Sequence, residues 1–175
     1  MRNNFLLIII LAGILFLSFV NGAPEPRIGT EVGNRIPAIN QPLVNGAPFH
    51  SDSLRGKMVL YDFWASYDAP SRIESAAKRA LYQKYHHQSF INGKEFVVVS
   101  ISLDRFKTPL MQVIESDSLF DMYHICTFEG RDSRIAKVFN ATQQMNDYLV
   151  DGDGRVVAVA NDLKKIEKRL ATLLK

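Results

Sequence analysis

The chain of 175 residues contains a single cysteine, Cys126. One thiol cannot close an internal disulfide, so neither a disulfide framework nor a self-contained dithiol exchange site is available. Cys126 can pair only with another chain or a small thiol; the alternative is a small buried apolar residue near the end of a short strand. The basic residues are scattered and the net charge is only +3. That excludes the positive stripe that nucleic acid demands, and no nucleic-acid partner is expected. No glycine-rich phosphate loop occurs, and no Ser-His-Asp set can be recognised from sequence order. His86-His87 has no further ligands at metal spacing and reads as a solvated helix terminus. Asp151-Gly152-Asp153-Gly154 lacks the third acidic position and the terminal glutamate of a calcium loop. It reads as a hairpin turn, where Gly and Asp answer backbone needs. Neither a metal nor a cofactor is expected.

Long apolar runs are also scarce, and the longest lies at the start. Arg2 supplies a positive n-region, residues 5–20 are uncharged and apolar, and Val20-Asn21-Gly22 offers small residues for cleavage. The run is slightly long for a signal peptide and short for a spanning helix of ~20 residues. Residues 1–22 therefore read as a signal peptide or signal anchor. Either implies export, periplasmic or secreted, with a membrane tie only where the segment stays uncleaved. No cysteine lies nearby, which excludes a lipid-modified N-terminal cysteine. Residues 23–35 read as a linker rich in Pro, Gly and Asn, and 36–175 as one domain. Asn140-Ala141-Thr142 fits the glycosylation pattern, which matters only in a eukaryotic secretory pathway.

Over the whole chain, 47% hydrophobic against 22% charged residues fits a globular fold, with part of the hydrophobic share in the leader. Met58 to Trp64 is apolar except for Asp62 and predicts a strand buried on both faces. A helix is expected from about Pro70 to His86, with Ile73, Ala76, Ala77, Ala80, Leu81 and Tyr85 facing inward. Asn92-Gly93 turns the chain into a second buried strand, Glu95 to Ser102. A helix opened by Pro109 and ending near Ser118 follows. Tyr123 to Phe128 is a short extended piece, and Ser133 to Asn140 a short helix. Tyr148 to Val150 and Val156 to Val159 form a hairpin, and Leu163 to Leu174 an amphipathic closing helix. The order predicts an α/β fold, a mixed sheet covered on both faces.

Four segments carry a family resemblance. They are Leu54-Arg55-Gly56-Lys57, Phe63-Trp64-Ala65-Ser66, Val99-Ser100-Ile101-Ser102-Leu103-Asp104, and Tyr148-Leu149-Val150-Asp151-Gly152-Asp153-Gly154-Arg155-Val156. In this order and spacing, over residues 36–175, the chain resembles the thioredoxin superfamily. It is most similar to exported thioredoxin-like proteins of the cytochrome-maturation (TlpA-like, thiol-disulfide interchange) type. The resemblance implies a thioredoxin-like fold with a central mixed sheet.

It also locates two departures. The family's W-x-x-C-x-x-C turn appears here as Trp64-Ala65-Ser66-Tyr67-Asp68-Ala69-Pro70-Ser71, with Asp68 and Ser71 at the cysteine positions. Six residues before Asp151, the family's cis-proline position holds Met145. A cis bond before a non-proline residue costs ~2.5–4 kcal/mol, so a trans Gln144-Met145 bond is expected. In the family that loop lies beside the cysteines and pairs with the backbone of a substrate peptide.

The remaining residues suggest what the loop still does. Asp68 stands at a helix N-cap, where a carboxylate accepts backbone N–H bonds and meets the positive end of the dipole. It carries a thiolate's charge without its nucleophilicity. Asp62 matches the family's buried acid; a carboxyl deprived of water disfavours its charged form, and without a thiol to serve it reads as a hydrogen-bonded remnant. Trp64 and Tyr67 flank the loop as core or as a recognition pair. An acid–base enzyme using Asp62 and Asp68 would need one pocket joining both carboxyls.

The expected function is that of an exported thioredoxin-fold protein without disulfide exchange, a binding or structural module. Trp64, Tyr67, Asp68 and Met145 are its candidate contacts to another exported protein or peptide. The alternative is a thiol-disulfide oxidoreductase or antioxidant protein acting through Cys126. That needs an exposed thiol of low pKa, with His124 two residues away on the same strand face.

Overall fold

The structure, a computed structural model, describes residues 25–175, so the expected leader lies outside the described residues. The apolar run at Lys57–Trp64 forms strand β1 and the run at Gly93–Ser102 forms β3. These two pair in parallel, Leu60 opposite Val98 and Phe63 opposite Ile101. Between them lie helix α1 (Ala69–Tyr85) and the two-residue strand β2 (Ser89–Phe90). Helix α2 (Lys107–Ser116) leads to β4 (Tyr123–Cys126), which pairs in parallel with β3. The short helix α3 (Arg134–Val138) precedes the hairpin of β5 (Asp147–Val150) and β6 (Val156–Ala160), and α4 (Leu163–Thr172) closes the chain. The sheet runs β3-β1-β5-β6, with β5 antiparallel to β1 and β6 to β5. β2 and β4 both pair with β3.

Successive strand residues face opposite sides, so the sheet sorts its residues into two cores. Val59, Tyr61, Phe63, Val99, Ile101, Tyr148 and Val150 face Ile36, Ile39, Phe49 and the Ile135–Phe139 turn. Met58, Leu60, Trp64, Phe96, Val98 and Leu149 face α1, α2 and α4 through Leu81, Tyr85, Leu110, Ile114, Ile166 and Leu170. The mixed sheet covered on both faces is the architecture the element order predicts. Upstream of β1, the Gly33 and Ile36 N–H groups donate to the Val156 and Gly154 carbonyls, tying this stretch to the hairpin.

Helix α1 buries Leu81 and Tyr85 as expected but turns the rest of its expected face outward. Ile73 is 75% exposed, and Ala76, Ala77 and Ala80 are exposed as well. The buried stripe of α1 is Ser71, Ser75, Lys78, Leu81 and Tyr85. These positions follow a spacing of four, three, three and four residues, which is helical. The polar half of that stripe conceals it from a hydrophobicity pattern. Its cause is the acidic patch of the sheet described next.

Candidate functional site

The turn after β1 is built around a cap. Asp68 is extended and precedes the first turn of α1, which contains Pro70. Its Oδ2 accepts the Ser71 backbone N–H at 3.0 Å and the Ser71 hydroxyl at 2.7 Å. The Ser71 hydroxyl, then its N–H, hold the Asp68 carboxyl below the usual carboxylate range, and Arg131 adds a smaller pull. The two residues at the family's cysteine positions are therefore bonded to each other. They form a helix cap, with no sulfur in it.

The flanking aromatics separate. Trp64 is 1% exposed inside the helix-side core, so it offers no surface to a partner. The correction follows from parity: Trp64 shares a face with Met58, Leu60 and Asp62, beneath α1. Tyr67 is 66% exposed at the loop tip. Met145 is half-buried against the opposite core. No cis peptide bond occurs among the described residues, so the Gln144-Met145 bond is trans.

Asp62 belongs to a polar row that crosses the sheet. It lies opposite Asp147 on β5 and Ser100 on β3, and Ser100 lies opposite His124 on β4. All four are buried. Lys78 descends from α1 and donates to Asp62 Oδ1 at 2.6 Å and to Asp147 Oδ1 at 2.9 Å. Glu74, on the outer turn, stands 3.5 Å from the same ammonium. Burial alone would lower the Lys78 pKa, but the two carboxylates raise it above the ordinary lysine value. Burial pushes Asp147 up to about 7 against the pull of Lys78, with Asp62 adding to the rise. Burial likewise holds His124 below the ordinary histidine value, although its Nε2 contacts the Leu119 carbonyl at 2.6 Å. Two buried carboxylates thus share one ammonium. Asp62 is hydrogen-bonded, as expected, and only 1% exposed.

A third buried acid, Asp104, anchors the loop from below. Asp104, at the end of the β3 run, accepts the Ser66 N–H at 2.9 Å, the Ser66 hydroxyl at 2.5 Å and the Ser102 hydroxyl at 2.6 Å. Cys126 lies next to this cluster, its thiol 3.4 Å from the Asp104 carbonyl. Cys126 is buried, and burial raises its pKa. Both properties oppose a reactive thiolate. The exposed, low-pKa thiol that the oxidoreductase alternative requires is absent here.

Beside Tyr67 opens a cavity of about 500 Å³, lined also by Ser66, Leu103, Asp104, Arg105, Phe106, Pro109, Gly130 and Arg131. Of the named candidates, only Tyr67 reaches it. No group of three or more His, Cys, Asp or Glu residues is placed to hold a metal among the described residues. Asp151 Oδ1 accepts the Asp153 and Arg155 N–H groups, as a turn residue does. His86 caps the C-terminal end of α1. The sequence reading missed Lys78, Asp104, Asp147 and Arg131. The helical spacing of Ser71, Ser75 and Lys78 was the available signal for the first.

No family model matches the chain, and no curated protein matches it. Solved structures do. The C-terminal domain of a Bacteroides thetaiotaomicron protein, provisionally named a thiol-disulfide oxidoreductase, is similar at 24% identity and a TM-score of 0.71. The match covers 82% of this chain and 96% of that one. A thiol-disulfide oxidoreductase from Bacteroides fragilis is similar at 22% identity and 0.67, over 78% and 96%. A secreted Mycobacterium tuberculosis disulfide oxidoreductase is similar at 18% identity and 0.59, over 77% and 96%. The fold is thioredoxin-like, as the four sequence segments indicated. Identity at this level speaks to the fold alone.

Proposed function

We propose that this chain is an exported thioredoxin-fold binding module that does not exchange disulfides and presents the Tyr67–Ser71 turn to another exported protein or peptide. The observation that carries the reading is the bond between Asp68 and Ser71 at the two cysteine positions. Exchange needs a thiolate to attack one sulfur and a second to release the mixed disulfide. An aspartate and a serine supply neither, and Cys126 is buried. Export is supported by the composition of residues 1–22 and by a structurally similar protein that is secreted. Among the described residues no helix is long and apolar enough to cross a membrane.

The surface that remains suits recognition. Tyr67 projects beside an apolar cavity, and buried bonds from Ser66 to Asp104 hold its loop in place. A rigid loop loses little freedom on binding. Two measurements test the reading. Purified protein should give no turnover in an insulin disulfide-reduction assay; turnover that survives Cys126→Ser overturns the non-catalytic part. Co-purification from the native host should yield a partner that Tyr67→Ala loses. A partner retained equally by both proteins overturns the loop as the contact.

A further inference from the structure

The cavity beside Tyr67 combines apolar walls with two arginines, Arg105 and Arg131. Leu103, Pro109 and the rings of Tyr67 and Phe106 supply apolar surface. Phe106 is 72% exposed although it is a large aromatic residue. Single exposed hydrophobics need no explanation, but two rings framing one cavity form a patch.

Arg131 closes the opposite side. Its Nη1 donates to the carbonyls of Thr142 at 3.0 Å and Gln143 at 3.3 Å, which pins the guanidinium beside the loop that leads to Met145. It makes no ion pair with a carboxylate among the described residues. Arg105, also on the cavity wall, pairs with Asp132 at the surface, where such pairs are weak and exchange readily. Asp104 is the only acid lining the cavity, and both its oxygens already accept bonds from Ser66 and Ser102. Arg131 and Arg105 thus both line a space whose one lining carboxylate among the described residues is engaged with serines, while Asp68 lies near enough to Arg131 to be drawn down by its charge. Guanidinium groups favour carboxylates through parallel N–H bonds of fixed geometry.

We propose that this cavity is a subsite for a protein segment in which an apolar side chain neighbours an aspartate or glutamate. The apolar side chain enters between Tyr67 and Phe106, and the carboxylate meets Arg131, with Arg105 as a second donor. The proposal rests on the binding reading above and names the chemistry of its partner.

The test is an NMR titration of ¹⁵N-labelled protein with two peptides, acetyl-Gly-Phe-Asp-Phe-Gly-amide and its Asn counterpart. The Asp peptide should shift the amides of Tyr67, Phe106 and Arg131 and bind roughly tenfold more tightly, the scale of a hydrogen bond to a charged group. Arg131→Gln should remove that preference, Arg131→Lys should retain part of it, and Phe106→Ala should weaken both peptides. The lysine variant guards against a loop simply loosened at Thr142–Gln143. Equal affinity for the two peptides overturns the acidic specificity and leaves the loop as a binding surface. A preference that survives Arg131→Gln also overturns it. No shift with either peptide overturns the subsite, and co-purification with Tyr67→Ala then decides separately whether the broader binding reading fails.

Discussion

Lys78 Nζ lies 2.6 Å from Asp62 Oδ1 beneath the middle of α1, and neither side chain is more than 3% exposed. The same nitrogen reaches Asp147 at 2.9 Å. Helix α1, strand β1 and the hairpin are therefore joined at one buried point, directly under the helix that carries the Asp68 cap.

Removing the cation should be the costliest single change in this cluster. Lys78→Met leaves two carboxylates buried without a counter-charge, a loss of ~3–5 kcal/mol. Asp147→Asn leaves a one-to-one pair and keeps an acceptor for Lys78, so it should cost far less. Urea unfolding at pH 7.5 compares the two directly. Equal losses would mean that the triad does not act as a charge balance.

The same cluster sets a pH dependence. Asp147 has its pKa raised in the folded state to about 7, from an ordinary 3.8. Between those values the folded chain holds a proton that the unfolded chain has released. Its contribution is fully present below about pH 4 and is lost as pH rises through about 7. Denaturation midpoints should fall over that window, and Asp147→Asn should flatten the slope. A midpoint that rises from pH 5 to 7.5 in the natural protein, and equally in the variant, would refute the assignment.

The cap should behave as an ordinary helix cap. Asp68→Ala removes the acceptor for the Ser71 N–H and hydroxyl and should cost ~1 kcal/mol. Asp68→Asn, which keeps a capping oxygen, should cost less. Thermal unfolding of the two variants checks the order. No difference between them and the natural chain would place the stability of the α1 start elsewhere.

Cys126 should be slow to modify. Its burial and raised pKa predict little reaction with an aromatic disulfide reagent in the folded state, and one thiol per chain after denaturation. Full reaction of the native protein within seconds would reopen the thiol chemistry set aside above.

Much of this structure could be read along the chain. The run from Met58 to Trp64, the turn at Asn92-Gly93 and the Asp151–Gly154 hairpin each carry a local signal, and each appears where it was expected. Asp68 as a cap was equally legible, because capping involves residues only three apart. The inner face of α1 was not. Apolar periodicity pointed to Ile73, Ala76, Ala77, Ala80, Leu81 and Tyr85; the last two are buried, but the first four lie outside, because Lys78 answers two acids brought from strands β1 and β5. Trp64 also remained open until strand parity placed it under the helix.

By itself the sequence determined the fold, which follows from local patterns, and the single thiol, which a count of cysteines settles. Only the tertiary structure decided which polar residues work together. Asp62, Lys78 and Asp147 are spread over 86 positions of the chain, as are Tyr67, Phe106 and Arg131 over 65. Residues this distant become neighbours through strand register and helix packing, and their pairing leaves no periodic trace in the order of amino acids.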